Sequence, residues 1–432
     1  MRKLLFILTI VLSLPLMSQN LALTVDDMFA IADSTEISLR AARLGVEVAA
    51  QDIELCRSAL YPEMSTTLSV GYLGNGYVWD RDFSNGMKID IPHFGTNFAL
   101  EIQQVIYAGG AIDNAIALSK KGKEMAELEY EKNRQQIHFS LIGNYLNLYK
   151  AINQVQAYDQ NIALVEKLIE KLNSKKEQGT ILSNALTRYE LQLENLKLQR
   201  QRLINTKAVF NRQLVTSLKL NQDVEIQPDS TLLTMLIDLG TETDWQQQAL
   251  YGSIALKQAG MGVDINNIKE NIERSNKLPK VALVAQDHLD GPVTIEVPPL
   301  NNNFNYWFVG VGLNYDISSL YKSNSKQRSA QLNTMRSREQ LELAHEKISN
   351  AVQEAYIRLN EARNEVEVQT KNLELARLNY NITNSRYLND LALLTDMLDA
   401  SNAMLAAELD LKNAQINLIF SYYTLNYLCG KI

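Results

Sequence analysis

Two aspartates near the end of the sequence have a spacing that could carry chemistry. Asp396 and Asp399 are three residues apart in a segment that contains neither proline nor glycine, so in a helix both carboxylates lie on one face. If several chains met at this point, the carboxylates would form a ring that attracts cations and repels anions. On spacing alone, two exposed carboxylates on the surface of a helix are the more common outcome.

The other residues able to do chemistry form no set that we can assign to a reaction. The four histidines are far apart in sequence, and none has the spacing that places two ligands on one helix face. Cys56 and Cys429 are too few for a disulfide framework or a four-cysteine zinc site. A net charge of −7 disfavours nucleic acid as the main partner. We therefore predict no enzymatic activity, no cofactor, no metal and no nucleic-acid partner.

The first residues are typical of a secretory signal peptide. Arg2 and Lys3 precede an apolar run at residues 4–17, which is too short to span a bilayer comfortably. We predict a signal peptide at residues 1–18, with cleavage after Ser18 or as late as Ala22. The mature chain is then exported, and an uncleaved N-terminal membrane anchor is the alternative.

The sequence repeats its own plan. Tyr145 and Tyr356 lie 211 positions apart, and the same offset holds without a gap from about residue 102 to about residue 218. Pro62 and Pro279 occupy matching places at an offset of 217. We predict a first structural repeat at 19–220, a linker or equatorial segment at 221–243 and a second repeat at 244–432. Each repeat contains a helix, two strands and a long helical hairpin.

Long helices dominate both repeats. Proline makes up only 8 of the 432 residues, which favours long uninterrupted elements. We predict a helix at 26–58, one hairpin with arms at 111–178 and 183–220, and a second with arms at 323–389 and 395–428. Apolar residues at mostly three- and four-residue spacing between Leu341 and Tyr380 indicate a coiled-coil seam.

Four segments alternate between apolar and small or polar residues and are predicted strands: 64–72, 96–104, 281–286 and 307–316. Polar loops at 74–96 and 287–305 lie between them. Such strands suit the wall of a membrane barrel, and a soluble, half-buried sheet would give the same alternation. In the membrane reading, lipid contacts Leu68, Val70, Leu100, Val309 and Val311.

Four strands are too few to close a barrel. An open edge in lipid leaves backbone groups unpaired at a cost of several kcal/mol each. If the strands are in a membrane, several chains must therefore pool them, and the helical hairpins would be bundled with them. A barrel continued by a helical tube is a conduit.

The order of short motifs resembles TolC-type outer-membrane efflux proteins over essentially the whole mature chain. The opening of that family is similar to Leu23-Thr24-Val25-Asp26-Asp27, and its strand-to-helix corner to Ile106-Tyr107-Ala108-Gly109-Gly110. Its periplasmic hairpin is similar to Tyr387-Leu388-Asn389-Asp390 with the segment at 395–400. The resemblance implies an α plus membrane β-barrel fold: a homotrimer with four strands per chain in a twelve-stranded barrel, and long antiparallel hairpins that form a helical tunnel.

The resemblance also implies roles for residues at the hairpin tips. Asp396 and Asp399 match an aspartate pair that lines the periplasmic entrance, and Tyr387 matches a tyrosine that helps to hold the closed state. Arg188, which is 211 positions before Asp399, is a candidate partner for a carboxylate there. The tips, predicted to dock a periplasmic adaptor, contain Gly179, Thr180, Asp390 and Leu391.

Three departures from the family indicate that different contacts hold the closed state here. Asp390 replaces a common glycine, Asn184-Ala185 replaces a pair that usually ends in aspartate, and Ala392 replaces an arginine of the closed-state lock.

The function implied is a passive outer-membrane exit duct of a tripartite efflux or secretion system in a Gram-negative cell. It would open at its periplasmic tip and export small molecules such as drugs and toxic compounds. Its partners would be a periplasmic adaptor, an inner-membrane transporter and outer-membrane lipid. Two alternatives stay open: a duct for type I protein secretion, and a periplasmic coiled-coil structural or adaptor protein with a soluble β-domain.

Overall fold

The structure, a computed structural model, describes residues 20–177, 183–229, 231–232, 239–296, 298–389 and 391–432. The predicted signal peptide lies outside these residues except at its later cleavage position. The chain divides into two compact units. Unit 1 comprises the described residues of Met1–Ala41, Glu131–Ile254 and Glu346–Ile432, and unit 2 comprises Ala42–Tyr130 and Ala255–His345.

The elements follow in chain order. They are β1 (Asn20–Leu23), α1 (Val25–Thr35), α2 (Ile37–Ser58), β2 (Glu63–Tyr72), β3 (Gly76–Val78), β4 (Met87–Ile89), β5 (Phe94–Tyr107), α3 (Ala111–Glu177), α4 (Ser183–Ser217), β6 (Glu225–Pro228), α5 (Glu242–Gly252), α6 (Ile254–Ser275), β7 (Lys280–Gly291), β8 (Phe304–Asn314), α7 (Ser319–Leu388) and α8 (Leu394–Leu428). Among the described residues, no helix is both long enough and apolar enough to cross a bilayer.

The helix predicted at 26–58 is two helices. Glu36 has an extended ψ of 125° and separates α1 from α2, and Ser253, with ψ 120°, separates α5 from α6 in the same way. Both first helices begin with the same capping box, in which a threonine and an aspartate exchange hydrogen bonds across the first turn: Thr24 with Asp27, and Thr241 with Asp244. These caps, like the breaks, are 217 positions apart. The apolar period continues through Glu36, which is why the sequence pattern conceals the break.

Unit 2 contains an antiparallel sheet in the order β2-β5-β7-β8. The four predicted strands are present, but the two predicted loops, 74–96 and 287–305, include residues that belong to strands. Strand β7 continues to Gly291, so residues 287–291 belong to the sheet, and residues 74–96 contain the small β3–β4 hairpin. The last part of β7 was missed because it contains polar residues such as Asp287 and Asp290, which interrupt the alternation of apolar and polar residues.

A sharp corner joins β5 to α3. Gly109 and Gly110 have φ of 63° and 82°, values that side chains with a Cβ rarely adopt. A Cβ at Gly109 would also lie 2.8 Å from the Cβ of Leu278 and 2.9 Å from the carbonyl oxygen of Ser275. The diglycine therefore lets the chain turn from strand to helix against the end of α6.

In unit 1, one buried tyrosine connects three segments. Tyr145 of α3 is 0% exposed. Its hydroxyl donates a hydrogen bond to the Leu23 carbonyl (2.6 Å) in β1 and accepts one from the Asp229 N–H (2.8 Å) just after β6. Strands β1 and β6 pair with each other in parallel. Burial raises the pKa of Tyr145 to about 12, so the hydroxyl keeps its proton at neutral pH.

A second polar contact fixes α1 on α3. Asp33 accepts hydrogen bonds from the Arg134 guanidinium (3.0 Å) and lies 2.8 Å from Nε2 of His138. The His138 ring is 1% exposed and stacks on Phe29 at a centroid distance of 4.0 Å. Burial lowers the pKa of His138 despite the neighbouring carboxylate.

The Tyr145 network gives a prediction with an internal control. Tyr145→Phe should leave the Leu23 carbonyl and the Asp229 N–H without their partner, which costs about 1–3 kcal/mol of unfolding free energy. The repeat-equivalent Tyr356→Phe should cost less, because the Tyr356 hydroxyl makes a 3.4 Å contact with Gly240 and is partly exposed. Denaturation midpoints and hydrogen exchange at the Asp229 amide measure both. Equal effects of the two variants would contradict the role of Tyr145.

Candidate functional site: a hairpin tip and a two-faced sheet

The ends of α7 and α8 position the predicted gate residues. Helix α7 closes with the Arg386 carbonyl accepting hydrogen bonds from the Asn389 N–H (3.2 Å) and the Leu391 N–H (2.8 Å). Leu391 is exposed. The other predicted docking residues, Gly179, Thr180 and Asp390, lie outside the described residues.

Asp396 has a structural contact that the sequence analysis missed. Its carboxylate accepts a hydrogen bond from the Leu393 N–H at 3.0 Å, which satisfies a free backbone donor at the start of α8. A negative charge in the first turn also interacts favourably with the helix dipole. An aspartate three residues into a helix is itself the sequence signal for this cap.

The two aspartates lie outside the packed side of α8. Asp396 and Asp399 are exposed, whereas Met397 between them is fully buried. Met397 belongs to a core cluster that also contains Leu172, Tyr189, Tyr380 and Leu405. Met397 is therefore part of the core, and both carboxylates of this chain remain accessible.

Tyr387 packs against this same cluster and is half-buried. Its neighbour Tyr189 is 1% exposed, and burial raises the pKa of Tyr189 well above its usual range, with a smaller contribution from Tyr387. The Tyr189 hydroxyl has no hydrogen-bond partner within the described residues. Tyr189 was not singled out from the sequence, although its position on the apolar stripe of α4 could have indicated its burial.

Arg188 and Asp399 line one groove between α4 and α8. The groove has a volume of about 620 Å³, with Leu191, Leu196 and Leu398 among its apolar lining residues. Gln192 of α4 donates a hydrogen bond to Asn402 of α8 at 2.9 Å, which ties the two walls together. In the described chain no ion pair joins Arg188 to Asp399, so the predicted partner of Arg188 remains an expectation.

The sheet of unit 2 has two chemically different faces, and both are largely uncovered. Directly paired residues share a face, so the register places all five predicted lipid contacts on one face. Within the described chain they are among the exposed apolar side chains: Leu68, Val70, Leu100, Val309 and Val311. The opposite face carries mostly small and polar residues, including Ser65, Thr67, Ser69, Gln103 and Gln286.

The sheet also has two open edges. Among the described strands, β2 pairs only with β5 and β8 pairs only with β7. Each edge therefore presents a row of backbone N–H and C=O groups, along 10 residues of β2 and 11 of β8. In lipid, the edge groups of such a sheet would need backbone partners from another chain.

Comparison with known proteins identifies the family. A family model described as outer membrane efflux protein matches residues 32–208 and 245–431. The outer membrane protein TolC of Escherichia coli (strain K12) is 21% identical over 415 residues, which cover 91% of this chain and 79% of that protein.

Solved structures share the fold. The outer membrane protein VceC from Vibrio cholerae superposes with a TM-score of 0.78 at 13% identity, covering 94% of this chain and 96% of that one. The open state of the MtrE outer membrane channel from Neisseria gonorrhoeae gives 0.73 at 13% identity, covering 94% and 88%. With the family match, these likenesses confirm the predicted fold class and the expected outer-membrane location. The chain belongs to the outer membrane efflux protein family, whose members are channels of the Gram-negative outer membrane rather than enzymes.

Proposed function

We propose that three copies of this chain form a passive exit duct that carries small molecules out of the cell through a tripartite efflux system. The incomplete sheet of unit 2 carries this proposal. Three four-stranded sheets joined through their β2 and β8 edges make a twelve-stranded barrel in which every edge group is paired. The apolar face then meets lipid, and the polar face lines the lumen.

Exposed apolar stripes on the helices support the pooling of chains. In unit 1, α7 buries Val352, Leu359 and Leu373 on one side. A different stripe of the same helix is more than half exposed: Ile357, Val368, Leu375 and Ile382. In unit 2, α2 exposes Leu44, Val48 and Leu55. Apolar residues recurring at helical spacing on an exposed surface fit a helix–helix contact with another copy.

The gate proposed is at the tip of unit 1. Three copies of Asp396 and Asp399 would contribute six carboxylates around one opening, which favours cations. Tyr387 would hold the closed state through its packing on the core cluster that contains Met397 and Tyr189. Arg188 would pair with a carboxylate across the tip, from the groove it shares with Asp399.

The stretch of this groove around Asn195 and Gln199, about two to three helical turns along α4 from Arg188, is the proposed seat of a periplasmic adaptor, which would connect the duct to an inner-membrane transporter. Leucines and amide side chains line the groove together, a composition suited to an amphipathic helix of the partner. Leu391 at the turn, with Gly179, Thr180 and Asp390, would extend this docking surface.

Neighbouring residues of β2 test the lipid-facing assignment. Leu68→Lys places a charge on the apolar face, which costs up to about 2–4 kcal/mol at the membrane midplane. Thr67→Lys places the same charge on the lumenal face and should be tolerated. The yield of assembled trimer in the outer-membrane fraction should fall for the first variant alone, and equal yields would refute the assignment of the two faces.

The carboxylate ring is tested by conductance in planar bilayers. The double variant Asp396→Asn, Asp399→Asn removes the charges, while an amide oxygen can still accept the hydrogen bond from Leu393. Cation preference and block by multivalent cations should both weaken. Normal selectivity in the double variant would eliminate the ring and leave the duct intact. Asp396→Ala alone should in addition loosen the start of α8, by about 0.5–2 kcal/mol.

A bulky substitution in the groove can distinguish loss of adaptor docking from loss of conduction through the channel. Asn195→Trp fills the α4–α8 groove, so export by cells should fall several-fold while single-channel conductance stays normal. Glu190→Trp is the control, because Glu190 is exposed on α4 and is not among the residues that line the groove. Export that survives Asn195→Trp would place the adaptor elsewhere.

A further inference from the structure

The lumenal face of the sheet carries an aromatic row that the duct itself does not require. Phe304, Tyr306 and Phe308 alternate along β8 on the face opposite the predicted lipid contacts. They are 55%, 42% and 54% exposed. The other residues of this face are mainly small or polar, so three adjacent rings exposed here need a partner.

The rings form a connected surface. Phe304 and Tyr306 stack at a centroid distance of 5.4 Å, and His288 of β7 stacks on Tyr306 at 5.0 Å. Phe308 lies over Gly310: a Cβ at Gly310 would come within 2.5 Å of the Phe308 ring. Because Gly310 has no side chain, the Phe308 ring can lie flat along the strand.

Two carboxylates lie in the same rows of the sheet. Asp290 is paired directly with Phe304, and Glu101 is connected through Gln286 to Phe308. Neighbouring strands are about 4.8 Å apart. Asp290 is therefore one strand away from Phe304, and Glu101 is two strands away from Phe308. Asp290 also accepts a hydrogen bond from Asn97, which holds its charge beside the row. Besides His288, which stacks on Tyr306, the basic residue on the described part of this face is Lys280, ten residues away from Asp290 at the other end of β7.

We propose that this surface, the β8 aromatic row with Glu101 and Asp290, is a contact site for organic cations that carry apolar or aromatic groups. Ring faces attract cations, and the attraction grows where water is partly excluded. The carboxylates add charge complementarity, and stacking supplies the apolar contact. The site rests on the proposed duct, because it needs this face to line a lumen, and three copies would surround one cross-section of it.

A competing occupant is another copy of the chain. In a pooled barrel the next strand beside β8 is β2, whose residues on this face, apart from Glu63 at its start, are small: Ser65, Thr67, Ser69 and Gly71. The rings could simply pack over them. Packing predicts an effect on trimer stability and no preference for positive charge, so an experiment can separate the two.

Block of conductance in planar bilayers tests the site, with the full-length channel and tetraphenylphosphonium as the probe. Tetraphenylborate has the same shape and the opposite charge, and tetramethylammonium has the charge without rings. The native channel should be blocked by tetraphenylphosphonium at a concentration at least about fivefold lower than by either analogue. Equal block by tetraphenylborate would overturn the proposal.

Variants of the row then locate the block. Tyr306→Leu with Phe308→Leu keeps apolar volume for packing but removes the ring faces, and should weaken block about fivefold to tenfold. Glu101→Gln should weaken it about threefold. Asn314→Ala, on the same face but six residues from Phe308 at the other end of β8, is the control and should leave block unchanged. Two results would show that the rings serve only to pack against another copy. One is unchanged block in the leucine variant. The other is a loss of trimer in that variant with normal block in the channels that remain. A native protein without conductance would refute the duct, a result separate from failure of the site.

Discussion

The four-stranded sheet of unit 2 cannot satisfy its own backbone, and the other main features follow from that constraint. Strands β2 and β8 each present an unpaired edge, and neither face of the sheet is covered within the described chain. In the proposed duct, closure comes from further copies, and the exposed apolar stripes on α2 and α7 fit contacts between those copies.

The sequence predicts the long elements well because their signals are long. Helices α3 and α7 extend without proline, and their observed ends fall within a few residues of the expected ones. The four strands of the sheet were located by alternation alone. The errors lie where a second influence acts on the backbone: Glu36 ends α1 inside a continuous apolar period, and polar residues at 287–290 continue β7 because their partners on β5 and β8 continue. Register, which carries that information, involves residues far apart in sequence.

At the hairpin tip, spacing in the sequence identified the candidate gate residues but not the groups that they contact. The i, i+3 relation of Asp396 and Asp399 put both on α8, while the Leu393 contact shows that one of them also supports the helix end. Arg188 was paired with the tip through the repeat offset, and the groove it shares with Asp399 is a property of how α4 packs on α8. The burial of the Tyr189 hydroxyl and the stacking of the β8 aromatic row depend on packing between distant segments, and tyrosine and phenylalanine are ordinary residues of both helices and strands.

The pairing of β1 with β6 bears on the maturation of the chain. Strand β1 begins at Asn20, immediately after the predicted leader, and its partner lies about two hundred positions later in sequence. Cleavage after Ser18 would leave the whole strand, whereas cleavage after Ala22 would remove three of its four residues and leave Leu23 as the new terminus. The cleavage site therefore determines whether the linker segment at 221–243 keeps its strand pair with the start of the chain or is connected to Leu23 through the Tyr145 hydroxyl. The first residues of the exported chain can pair only after the whole first hairpin has been exported, because their partner strand β6 follows that hairpin in sequence.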